Sequence, residues 1–103
     1  MCGRFVIAKT TDMITELFEI DELETDSDFR SFNLPPTTQI PMIVEREIDG
    51  MPSRQLHSAR WGLIPSWAKE VSTTPLINAR IESVLDKPSF QESALAKRCA
   101  IPA

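Results

Sequence analysis

Cysteine is scarce in this 103-residue chain, and the two present, Cys2 and Cys99, lie near opposite ends. That density excludes a disulfide scaffold, and the spacing excludes a paired-cysteine metal site. Long hydrophobic runs are missing as well. No apolar run exceeds four residues, so the sequence offers neither a membrane-spanning helix nor a secretory h-region. A soluble protein of a reducing, cytoplasmic compartment is expected. Basic residues are absent from Asp12 to Asp28, a segment that holds eight of the fifteen carboxylates. The remainder carries eleven Lys and Arg against seven acids, so the formal charge of −4 does not exclude a nucleic-acid partner. The acidic segment itself reads as a solvated helix face and loop. Internal repeats and low-complexity tracts are also lacking.

What is present suffices for one domain with one core, residues 1–103, and not for two. GRFVIA reads as a strand, and Thr10 or Thr11 as the cap of a helix whose Met13, Ile14, Leu17 and Phe18 form an apolar stripe. DELETDSDFR loses this periodicity and reads as a loop, and the consecutive prolines of FNLPPT force an extended path. IPMIVERE and SRQLHSARWG flank Asp49-Gly50, the pattern of a β-hairpin. WGLIPSWAKE is too irregular for a long element. NARIESVLD reads as a short helix, Pro88 as the first turn of another through FQESALA, and KRCAIPA as the start of a strand. The fold class is α+β, with a mixed, mainly antiparallel, barrel-like sheet core and short flanking helices.

Cys2 follows the initiator methionine, so loss of Met1 gives it a free α-amine beside a thiol. An α-amine titrates at about 7.7–8.0, and a neutral, nucleophilic fraction is therefore present at physiological pH. With an aldehyde it forms a Schiff base, onto which the thiol closes to give a five-membered thiazolidine. The same pair can instead act as nucleophile and base in an N-terminal-nucleophile hydrolase, and a second-position cysteine can also be incidental. Arg4 and Arg80 offer planar forks suited to phosphate, and Asn78 offers a donor and an acceptor to a polar substrate; each alone is equally a surface group. Trp61 and Trp67 suit either base stacking or core area. His57 reads as an exposed strand residue.

MCGRF, FNLPPT, RWGLIPSWAKE, PLINARIES and RCAIPA, in this order, resemble the SOS-response-associated peptidase family of abasic-site-processing proteins. The resemblance runs from residue 2 to the chain's end. It implies that mature Cys2 captures the ring-opened aldehyde of an abasic site in single-stranded DNA. Asn78 would position amine and sugar, Arg4 and Arg80 would hold flanking phosphates, and Pro36 and Trp67 would border the DNA channel. It also implies autoproteolytic release of the residue before Cys2, a lyase-type reversal of the crosslink, and no cofactor or metal. Family members are longer, with a Gly-aromatic-aromatic-Glu-Trp motif after a stretch like RCAIPA and a downstream active-site histidine. Neither is here, and neither Glu82 nor His57 matches those positions, so the chain resembles the N-terminal half of the domain. A half-domain exposes core and sheet edge, which predicts a C-terminal half or a second protomer as partner. Two other readings remain: an amidotransferase, since that class also begins MCG, and a DNA-binding or structural fragment without the chemistry.

Overall fold

The computed structural model describes residues 3–71 and 76–103. Cys2 therefore lies outside the described residues, as does Pro75. The described chain is α+β and mainly antiparallel, with two separate sheets and two short helices, and its strands close no barrel. In chain order the elements are β1 (Phe5–Ile7), α1 (Thr11–Leu17), β2 (Glu22–Leu23), β3 (Ser31–Leu34), β4 (Gln39–Ile48), β5 (Met51–Arg60) and α2 (Pro88–Ala96). β1 pairs antiparallel with β3. The second sheet has the order β2-β5-β4, with β4 and β5 antiparallel and β2 parallel to β5.

The hairpin expected from Asp49-Gly50 is the largest element pair, in register from Gln39↔Arg60 to Ile48↔Met51. Both turn residues have positive φ, 51° and 79°, which gives the turn the twist that antiparallel strands need. The hairpin buries Ile43 and its register partner Leu56 on one face and Ile40 on the other, and Leu56 is fully inaccessible. Ile7 of β1, Ile14 of α1, Phe29 and Leu34 complete the core, with Phe5, Phe18, Ile20 and Trp61 packed at its margin.

α1 begins as the sequence implies: the Thr10 hydroxyl accepts from the Met13 N–H at 3.1 Å. Its stripe, however, is not all core. Ile14 is buried, but Met13 and Leu17 are more than half exposed. The reason is geometric: Leu17 faces an apolar groove between α1 and β1, bounded also by Val6 and Pro102, which no described residue fills. After the helix, Arg54 of β5 donates from Nη1 to the Phe18 carbonyl at 2.6 Å, and its backbone N–H donates to Asp21 Oδ2 at 2.8 Å. These bonds dock the helix end and the next residues on the hairpin. Glu22–Leu23, expected in a loop, thereby becomes a short strand against Gln55–Leu56.

Three further expectations are corrected. NARIESVLD is a series of turns: Ser83 N–H donates to the Arg80 carbonyl at 3.2 Å and Asp86 N–H to the Ser83 carbonyl at 3.0 Å, both spanning three residues. Ile81, 84% exposed, has no apolar partner that would reward an α-helix. KRCAIPA makes one antiparallel bridge, Ala100↔Ile43, with bonds of 2.8 and 2.9 Å, and no extended strand. In that register Pro102 falls opposite Pro41, and neither has an N–H to donate. Toward the other end the chain turns into α2, which stops at Ala96. His57 is half-buried, not exposed, with Nε2 2.9 Å from Gln55 Oε1; the Gln55 amide donates in turn to Glu22 Oε2 at 3.1 Å. That chain of contacts explains how a buried glutamine is tolerated.

Candidate nucleic-acid interface

Opposite the Asp49-Gly50 turn, where β4 begins and β5 ends, the chain gathers Phe5 and the FNLPPT segment. Phe5 sits in register with Leu34, and its ring meets Trp61 at 4.9 Å between centroids, tilted by 57°. The prolines keep Leu34 and Pro35 extended and then deliver a turn at Pro36-Thr37. Thr37 has φ 74°, a left-handed conformation costly for a β-branched residue. Three bonds hold it there: Thr37 N–H to the Trp61 carbonyl at 2.9 Å, Trp61 N–H to the Thr38 carbonyl at 3.0 Å, and the Thr38 hydroxyl to the Pro35 carbonyl at 2.7 Å. Pro36 is thus half-buried and fixed in the turn that Trp61 anchors.

Arg4 precedes β1 and is exposed. Its Nη1 donates to Asn33 Oδ1 on β3 at 2.9 Å. This single neutral acceptor orients the guanidinium without neutralising it, so the charge and the remaining donors stay available to an anion. Two other arginines are already occupied. Arg30 is paired with Asp28 at 2.7 Å, which holds the Asp28 carboxyl below its usual range, and Arg54 is paired with Glu45 at 2.8 Å.

Asn78 belongs to a second feature. It lines an open depression of about 500 Å³ with Leu63, Ile77, Phe90, Arg98 and Cys99. The depression is built by the Leu63↔Leu76 bridge, whose N–H to carbonyl distance is 2.9 Å, and by α2. At its rim Lys97 lies 3.3 Å from Glu92, and the Ser66 hydroxyl, with Lys97 second, lowers the Glu92 carboxyl pKa. Arg80 is exposed and makes no ion pair among the described residues. Trp67 is 60% exposed, so of the two tryptophans only Trp61 contributes to the core.

The structure therefore brings Arg4 and Pro36 to one end of the hairpin, and places Asn78 in a depression reached from that end through Trp61-Gly62-Leu63. Among the described residues, no hydrogen bond or ion pair joins Asn78, Arg80 or Trp67 to Arg4. Asn33, which orients Arg4, is absent from the sequence-based set of site residues. Its only signal is its place in FNLPPT, one of the motifs that carry the resemblance.

The sequence pattern of the SOS response associated peptidase (SRAP) family matches residues 1–103. The chain belongs to that family. Similar proteins include the abasic site processing protein YoqW of Bacillus subtilis, 42% identical over the whole chain and 45% of the relative, and YoaM of the same organism, 40% identical over the whole chain and 44% of the relative. The abasic site processing protein HMCES of Rattus norvegicus is 33% identical over 69% of the chain and 23% of that protein. This SRAP chain accordingly spans less than half the length of the bacterial relatives it matches. It is the N-terminal part of those relatives that it resembles.

Proposed function

We propose that this SRAP chain takes part in processing abasic sites in single-stranded DNA through covalent capture by Cys2. Removal of Met1 frees the amine. The amine nitrogen adds to the aldehyde carbon, water leaves, and an imine forms; the thiol sulfur then bonds to the same carbon while its proton passes to nitrogen, closing the thiazolidine. Arg4, two residues on, guides a phosphate of the damaged strand, and Arg80 holds another. Asn78 orients the amine and sugar, and Pro36 and Trp67 border the strand. Autoproteolytic release of the residue before Cys2 belongs to the same reading. So do lyase-type reversal, a cytoplasmic location, and completion of the site by a C-terminal half or a second protomer.

The observation that carries this reading is the Arg4 guanidinium, held by Asn33 at 2.9 Å with no acidic partner among the described residues, two positions from the candidate nucleophile. An exposed arginine oriented by a neutral amide is an anion contact kept in readiness. The test uses Met1-free protein, verified by intact mass, incubated with single-stranded DNA bearing one abasic site and resolved by denaturing electrophoresis. A heat-stable shifted band is expected, and it disappears in Cys2→Ala or when hydroxylamine caps the aldehyde first. Absence of the band with complete, Met1-free protein overturns the proposal.

A further inference from the structure

Phe32 has 84% of its surface exposed; it and Asn33 are the two β3 residues opposite Val6 in the bulge between the pairs Phe5↔Leu34 and Ile7↔Ser31, and both are exposed. Leaving a phenylalanine ring in water forgoes the favourable burial of its apolar surface. Its surroundings are specific. The next residue is Asn33, whose side chain holds Arg4, and Asn33 N–H donates to the Ser31 hydroxyl at 3.1 Å. Two residues before Phe32, Arg30 neutralises Asp28 through three short side-chain contacts of 2.7–3.1 Å. The guanidinium held by the residue next to Phe32, that of Arg4, is therefore left without an acidic partner among the described residues.

A flat aromatic face, an oriented guanidinium and an amide on adjacent positions of one strand pair match the parts of a nucleotide: base, phosphate and sugar edge. Building on the reading above, we propose that Phe32 is a base-stacking residue, which seats the nucleobase adjacent to the abasic position while Arg4 holds the intervening phosphate. A missing base leaves its neighbour with one unstacked face, and an exposed ring supplies the replacement. Stacking is indifferent to base identity, so the contact positions the strand without restricting its sequence. Phe32 is a positioning residue for capture, not a participant in bond formation.

The test places 2-aminopurine beside an abasic site in single-stranded DNA and titrates it with the chain carrying Cys2→Ala, so that binding stays reversible. Phe32→Ser is expected to bind about tenfold more weakly and to lose the 2-aminopurine quenching, whereas Phe32→Trp retains both. Melting temperature should be unchanged in Phe32→Ser, because the ring contributes little to the core. Equal affinity and quenching in all three proteins overturns the role of Phe32 while leaving DNA capture standing. A melting temperature several degrees lower in Phe32→Ser overturns it too, since the ring would then be covered by polypeptide. No binding by any of the three, with no crosslink by the Cys2 protein, removes both proposals.

Discussion

At the scale of single residues, the side chains that matter are those whose surroundings leave chemistry unspent. Arg4 is oriented but not neutralised, whereas Arg30 and Arg54 are consumed by Asp28 and Glu45. Cys99 is the described cysteine, and it behaves in the opposite sense to an activated thiol. It is exposed, yet partial burial against its neighbours pushes its thiol pKa up. The folded state therefore favours the protonated thiol. As pH rises through the window between the unfolded and folded thiol pKa values, the unfolded chain ionises first, and stability falls with pH there. Alkylation of Cys99 by iodoacetamide, followed by peptide mass, is expected to show its midpoint at higher pH in native protein than in denaturant. Coincident midpoints would show that the fold does not suppress this thiolate.

At the scale of elements, the hairpin depends on its turn and on what lies along its outer edge. Gly50 adopts φ 79°, and a Cβ added there meets nothing within 4 Å, so the cost of a side chain is purely that of the backbone. Gly50→Ala should destabilise the chain by about 1 kcal/mol, and Gly50→Asn by distinctly less, because asparagine tolerates the left-handed region. Urea midpoints measure the difference; equal midpoints for the two variants would refute a conformational origin. The outer edge of β4 is protected by chemistry readable in its sequence. Pro41 has no donor, Ile43 is occupied by Ala100, and Glu45 and Glu47 follow with charged side chains. Such an edge resists indiscriminate pairing.

At the scale of the molecule, charge is segregated by element. The acidic run spans α1, β2 and the loop before β3, and its β2 borders β5, whereas Arg4 precedes β1. If Arg80 is a phosphate contact, Arg80→Ala weakens single-stranded DNA binding at every sequence and reduces the slope of log affinity against log salt by about one. An unchanged slope would remove Arg80 from the interface.

Local chemistry by itself determined several features. Thr10 capped its helix, Asp49-Gly50 turned the hairpin, Pro88 opened α2, and the α+β class followed, because each rests on backbone preferences acting within a few residues. The family resemblance carried by the MCGRF, FNLPPT and PLINARIES stretches, and not local chemistry, named Arg4, Pro36 and Asn78 as candidate site residues. Only the tertiary structure decided which apolar faces have partners. Ile14 is buried while Leu17 on the same stripe opens to a groove, and Ile81 sits in turns because nothing covers it. It also decided that Glu22–Leu23 becomes a strand, through the grip of Arg54 on residues over thirty positions away, and that Asn33 orients Arg4. Periodicity reports which face of an element is apolar; burial and long-range hydrogen bonds depend on what the rest of the chain brings to that face.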